Sequence, residues 1–270
     1  MNETLKRLIS GVIYIVLLIT SILYSTESFI ILFGLFLLIA VYEFCNLVQL
    51  NKIISLVLAL SIYLIFYKFT FSRTNMQLML LVTIITSIKC INFLFDNKNL
   101  KIDQVSKYIY LIGYLILPFT IMAKIPFGRD GYNPKIFIGI FILIWTNDTF
   151  AYIVGKSIGK RKLFARISPK KTVEGFLGGM VFALIASFLI SKYFIEGSII
   201  NRYIWFGLAF IVSLFGTIGD LVESKFKRIA GVKDSGKIMP GHGGILDRLD
   251  SIIFVIPFIN LFYLILYYVS

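Results

Sequence analysis

Two pairs of acidic residues mark the most polar stretch of the chain. Asp220 and Glu223 are three residues apart, as are Asp247 and Asp250, so each pair shares one side of a helix. They bracket the run GDLVESKFKRIAGVKDSGKIMPGHGGILDRLD, from Gly219 to Asp250. A second polar run, WTNDTFAYIVGKSIGKRKLFARISPKKTVEG from Trp145 to Gly175, begins with Asp148. It continues through Lys156, Lys160, Arg161, Lys162, Arg166, Lys170 and Lys171. Carboxylates facing such a basic segment suit Mg2+ carrying a nucleoside triphosphate, because hard oxygen ligands and phosphate oxygens both match that ion. Ammonium and guanidinium groups neutralise phosphoryl oxygens, while Gly155 and Gly159 let backbone amides approach them. No protein nucleophile is required. In phosphoryl or nucleotidyl transfer the attacking phosphate is already anionic, and catalysis is mostly alignment and charge neutralisation.

The same residues admit plainer roles. Basic loops also arise from membrane topology and attraction to lipid headgroups. Thr172 and Glu174 suit a helix amino terminus, and Gly175, Gly178 and Gly179 permit close helix packing. His242, the single histidine, lies in Pro240, Gly241, His242, Gly243, Gly244. This reads as a tight turn that either presents imidazole and amides to a phosphate or base, or has no catalytic duty. Cys45 and Cys90 fall in apolar runs, which supports packing and neither a disulfide framework nor a zinc site. Neither a Walker P-loop nor a nucleophile-base triad is traceable.

The elements that position these groups are transmembrane. Hydrophobic residues make up 58% of the 270 and charged residues only 15%, with a mean hydropathy of +0.88, far from the composition of a soluble domain. The pattern predicts an all-α, polytopic transmembrane helical bundle of about nine spans. They lie near residues 8–24, 28–50, 53–71, 78–95, 108–126, 136–155, 174–195, 202–222 and 250–269. The third, ending near Lys68, and the fourth, interrupted by Lys89, are the weakest, and Lys89 must snorkel or find an acidic partner. Lys6 and Arg7 before an apolar run without an Ala-x-Ala-like site indicate a retained first span with a cytosolic amino terminus.

Nine spans from that start place the loops 51–52, 96–107, 156–173 and 223–249 in the cytosol. Most of the 27 Lys and Arg residues fall there, including Lys52, Lys98, Lys101 and Lys107, with a thin scatter such as Arg73, Arg129 and Arg202 opposite. The active site is therefore expected at the cytosolic membrane boundary, in an integral multi-pass protein of a bacterial-type inner membrane. The formal charge of +13 is assigned to the bilayer surface and phosphorylated substrates, with no nucleic-acid partner. Residues 1–130 form amino-terminal helices and 131–270 the catalytic region of one membrane unit.

Ser224, Lys225, Phe226, Lys227, Arg228, Lys233, Asp234, Ser235, Gly236 and the run Pro240 to Asp250 resemble the signature of the phosphatidate cytidylyltransferases, or CDP-diacylglycerol synthases. Met239 departs mildly, standing where Ile, Leu or Phe is expected. The upstream run from Asp148 through Ser168, Pro169, Lys170, Lys171, Thr172 and Glu174 to Gly175 also resembles that family. The likeness covers residues 145–251; the first 140 residues resemble it only as apolar spans. The resemblance implies that CTP and phosphatidic acid give CDP-diacylglycerol and pyrophosphate, with Mg2+ and a possible second cation, in a homodimer embedded in the lipid bilayer. On this expectation Asp220 and Asp247 are the principal metal ligands, with Asp148, Glu223 and Asp250 as further ligands or organisers. Ser224, Lys227, Arg228, Lys233 and Asp234 hold phosphates and orient one another. Lys170, Lys171 and Thr172, beside Glu174, bind nucleotide or lipid phosphate, and His242, Gly243, Gly244 and Arg248 shape the nucleotide pocket.

Two other readings fit parts of the pattern. A CTP-dependent kinase of a lipid alcohol would release CDP in place of pyrophosphate. An ion-coupled carrier would place its polar groups at mid-membrane in repeated halves, whereas the acids here cluster toward one face.

Overall fold

The polar residues between the apolar runs decide where each helix starts. Ser25 accepts from the Ser28 amide and Ser28 Oγ accepts from the Ser25 amide, both at 3.1 Å. This reciprocal cap turns α1 (Glu3–Tyr24) into α2 (Thr26–Val48) across one residue. Asn51, Ser72 and Asp103 cap α3 (Lys52–Lys68), α4 (Arg73–Phe95) and α5 (Gln104–Ile109). A π-helical stretch, Tyr110–Ile116, joins α5 to α6 (Leu117–Met122). The strand pair β1 (Phe127–Gly128) and β2 (Gly131–Tyr132) precedes α7 (Pro134–Ile158). The pair β3 (Lys162–Phe164) and β4 (Ser168–Thr172) leads into α8 (Val173–Leu189), which a second π stretch, Ile190–Phe194, prolongs. The long α9 (Ile199–Ile229) and α10 (Leu246–Val269) complete the order. This computed structural model describes residues 3–69, 72–96, 101–128, 131–195 and 199–269. Lys98 and Arg129 lie outside the described residues.

Among the described residues, eight helical lengths are long and apolar enough to cross a membrane, with α5 to α6 counted as one. The remaining helix, α3, has 17 residues, about 25 Å at 1.5 Å per residue. Its direction follows from its neighbours. Ser10 at the start of α1, Glu43 toward the end of α2 and the Asp96 carbonyl after α4 all bond to the end of α9 or the segment after it. At the other end, Tyr132 Oη donates to Ile22 O at 2.7 Å, and Gln77 Nε2 donates to Tyr268 Oη at 2.7 Å. Since α2 and α4 both finish at the first end, α3 must carry the chain back between them. Among the described residues the nine helical lengths thus alternate in direction, eight of them long and apolar enough to cross a membrane.

Two local expectations change. The segment 156–173 is not an irregular loop but an antiparallel hairpin, with Lys162 opposite Thr172 and Phe164 opposite Ser168. Helix α9 runs to Ile229, seven residues past the expected end at 222, because Val222 and Phe226 continue its buried face. Phe226 packs its ring on Phe44, Phe93 and Tyr110 at centroid distances of 5.2, 4.9 and 5.3 Å, anchoring this extension to α2, α4 and the first π stretch. Lys89 donates to Ser106 Oγ at 2.9 Å, lies 5.5 Å from the centre of the Tyr110 ring and interacts electrostatically with Asp103. Cys45 and Cys90 are free and buried, as expected of packing residues.

Candidate active site

Small residues bring α7 and α8 together. A Cβ on Gly175 would lie 2.6 Å from Ala151 O, one on Gly178 2.7 Å from Val154, and one on Gly179 2.6 Å from Asn147 O. Packing is therefore what these glycines provide. Thr172 Oγ1 caps α8 by accepting from Gly175 N at 3.1 Å. Glu174 reaches back instead, accepting from Lys160 N at 3.0 Å and Arg161 N at 3.1 Å, and so closes the base of the hairpin. Its turn is fastened by Arg166 donating to Asp96 O at 3.3 Å and Arg228 Nε donating to Ile167 O at 3.4 Å.

The hairpin stands over a cavity of about 810 Å³ at this end of the helices. Asp148 from α7, Asp220 from α9 and Asp250 from α10 line it, together with Lys170, Lys171 and Thr172 from β4. His242, Asp247 and Arg248 contribute from the opposite side. Its lining also includes apolar side chains, among them Tyr14, Phe141, Ile144, Trp145 and Ile252. Lys171 Nζ lies 2.5 Å from Asp220 Oδ2, and Ser224 Oγ donates to Asp220 Oδ1 at 3.2 Å. Asp148 accepts from Asn147 Nδ2 at 3.2 Å, and Asp250 accepts from the Ser251 amide at 2.7 Å.

The acidic pairs read from the sequence divide. Glu223 turns away from the cavity to pair with Lys227, whose Nζ also lies 2.7 Å from Asp247 Oδ1. The other oxygen of Asp247 accepts from Ser235 N at 2.8 Å, Ser235 Oγ at 2.9 Å and Gly244 N at 2.7 Å. Asp247 borders the cavity with both oxygens engaged, and Glu223 and Lys227 stand behind the wall. Of the expected metal set, Asp220, Asp247 and Asp250 border the cavity and Glu223 does not. Among the described residues no three acidic, histidine or cysteine side chains form a ready-made metal cluster. The chemistry of the donors fits a hard divalent cation best at Asp148, Asp220 and Asp250, three carboxylates opening onto one cavity.

Other expected residues also sit apart. Lys233 and Asp234 are exposed and do not line the cavity, and Arg228 serves the hairpin and Val232 O. Gly243 takes a φ of +86°, a left-handed conformation suited to glycine. Its Cβ position and that of Gly244 are filled by the Asp247 and Glu43 carboxylates, so these glycines admit protein side chains. His242 does face the cavity, with Nδ1 2.7 Å from Ser10 Oγ. Burial, Arg248 and Arg7 hold its imidazole below its ordinary range. Arg248 Nη2 donates to His242 O at 3.0 Å. The sequence reading missed Ser10, Tyr14 and Glu43, all from the amino-terminal helices. Glu43 carried a signal, since an acid inside an apolar span asks for a use.

The sequence pattern of the Cytidylyltransferase family matches residues 5–266. The chain belongs to this family. It is 54% identical over 121 residues to the phosphatidate cytidylyltransferase of Staphylococcus aureus (strain COL), a stretch covering 45% of this chain and 46% of that protein. Similar matches reach the proteins of the same name from Staphylococcus haemolyticus, 52% identical over 123 residues, and Staphylococcus saprophyticus, 53% over 123. Each again covers 45% of this chain and 46% of the relative, so the matched stretch spans under half the length of these relatives. Membership reaches into α1, where the motifs themselves give no likeness.

Proposed function

We propose that the chain transfers the cytidylyl group of CTP to phosphatidic acid, forming CDP-diacylglycerol and releasing pyrophosphate. The observation that carries this reading is a single cavity lined both by carboxylates, lysines and an arginine and by apolar side chains such as Phe141, Ile144 and Trp145. Such a cavity suits an anionic headgroup joined to an apolar body. The family membership and the named relatives supply the reaction class.

A phosphate oxygen of the lipid attacks the α-phosphorus of CTP, the new P–O bond forms, and the bond from the α-phosphorus to the bridging oxygen of pyrophosphate breaks. Lys170, Lys171 and Arg248 hold and neutralise phosphate oxygens, so the two anions can approach. Asp148, Asp220 and Asp250 are the residues that would hold Mg2+, which when bound supplies Lewis-acid stabilisation of phosphoryl charge. Lys171 lies against Asp220 and can exchange that carboxylate for a phosphate as substrate enters. Asp247, Glu223 and Lys227 keep the helix ends in register. The cavity faces the cytosol in this reading, supported by the basic residues at that end, and the protein works as a homodimer in the bilayer.

The test is purified protein with phosphatidic acid and CTP labelled in the α or γ phosphate, with and without Mg2+. Label from the α position in lipid and from the γ position in pyrophosphate, both requiring Mg2+, is the expected result. Label from the γ position in lipid would replace the proposal with a kinase, and no labelled product from folded protein would overturn it.

A further inference from the structure

Glu43 lies in α2, outside both polar runs, and its side chain is 2% exposed. A carboxylate buried in an otherwise apolar helix is costly unless its oxygens are satisfied. Here three neutral donors reach it. Oε2 accepts from Leu246 N at 2.8 Å and Ser235 Oγ at 3.1 Å, and Oε1 accepts from Ile245 N at 3.2 Å. The two amides belong to the beginning of α10, so the negative charge sits at the positive end of that helix. Gly236 and Gly244 let the backbone close on the carboxylate, which occupies the space any Cβ there would need. Glu43 thus grips both arms of the segment between α9 and α10, from a helix far away in sequence.

We infer that Glu43 is a positioning residue of the reaction, acting through Ser235 and the first turn of α10. This rests on the nucleotidyl-transfer reading above. Ser235 Oγ lies 3.1 Å from Glu43 Oε2 and 2.9 Å from Asp247 Oδ2, so the two carboxylates share the single proton of one hydroxyl. The turn of α10 that Glu43 caps carries Asp247, Arg248 and Asp250, all three bordering the cavity. A shift of that turn moves them together. Misplacement of reacting groups by about 1 Å costs up to about 100-fold in rate.

Glu43→Gln keeps the volume but turns an amide group toward a backbone N–H. The experiment measures kcat and the KM for CTP of the full-length protein by pyrophosphate release, with the thermal midpoint in the same detergent. Expected is a fall in kcat of about 10- to 100-fold per folded molecule, a smaller change in KM and a lowered midpoint that still lies above the assay temperature. Ser235→Ala should also slow turnover, and the double variant should lose less than the product of the two single losses. Restoration of part of the rate by Glu43→Asp would support the positioning role further. Wild-type kcat in Glu43→Gln, multiplicative losses in the double variant, or a loss accounted for by unfolded protein would overturn the inference. If Glu43→Gln does not fold, Ser235→Ala decides: it severs the link between the carboxylates while leaving the Glu43 amide bonds, and wild-type turnover overturns the inference. Wild-type protein that releases no pyrophosphate overturns the transfer reading as well, whereas an active wild type with unchanged variants overturns only the role of Glu43.

Discussion

Among the described residues Lys227 is the one cation paired with both Glu223 and Asp247, and its replacement by Met tests whether this triad is a staple. The side chains of Lys227, Glu223 and Asp247 are 11%, 1% and 5% exposed, so solvent screens them little. Methionine fills much of the lysine volume but leaves two buried carboxylates without their counter-charge. Removing one partner of a buried ion pair costs about 3–5 kcal/mol. At about 1.4 kcal/mol per factor of ten, this shifts the folded equilibrium roughly 150- to 4,000-fold. Thermal unfolding in detergent, followed by the fraction still eluting as folded protein, should show a clear drop for Lys227→Met. Adding Glu223→Gln removes one of the stranded charges and should recover part of the loss. If Lys227→Met is as stable as the wild type, or if the double variant is no better than the single, the triad does not fasten α9 to α10.

Asp148→Asn, which alters only the cavity wall, should suppress turnover and raise the Mg2+ concentration needed for what remains, while chelation of divalent ions should silence the wild type reversibly. Equal Mg2+ dependence in both proteins would remove Asp148 from the cation site. Gly179→Ala forces a Cβ to within 2.6 Å of Asn147 O, beside Asp148; overpacking of this kind costs about 1–3 kcal/mol. Both the thermal midpoint and turnover should therefore fall, and an unchanged pair would show that α7 and α8 have slack. The lowered His242 value means that the folded protein binds this proton less readily than the unfolded chain. Its stabilising contribution is intact above the ordinary value of about 6.5 and is lost as pH falls through the lowered one. Thermal midpoints taken from about pH 8 to about pH 5 should thus drop more steeply for the wild type than for His242→Asn, and parallel curves would refute this.

Much of the fold was legible because apolar length is a direct physical demand of the membrane. The alternation of nine helical lengths followed from the apolar runs. What local sequence could not show was which oxygen would meet which donor. Glu174 has the type and position of a helix-capping acid, yet it bonds the amides of Lys160 and Arg161, a choice made by the hairpin fold. The hairpin was hidden because Lys162 to Thr172 is rich in charge and lacks a clear period-two apolar pattern. Glu43 and Ser10 were missed because their partners lie about 200 residues or more away in sequence.

The division of the acidic pairs has a geometric origin. Residues three apart on an α-helix differ by about 60° around its axis, close enough to share a side and far enough to meet different neighbours. In α9 this lets Asp220 face Lys171 across the cavity while Glu223 faces Lys227 one turn further on. In α10 it lets Asp250 face the cavity while Asp247 reaches Lys227 and the Ser235 and Gly244 amides. Asp220 and Asp250 therefore serve the cavity, Glu223 the clamp between the helices, and Asp247 the clamp while bordering the cavity. The clamp fixes the relative position of α9 and α10, so Asp220 and Asp250 are held near each other despite their like charge. In the proposed reaction that enforced proximity would suit a divalent cation, and the clamp explains why a motif dense in acids includes a buried lysine.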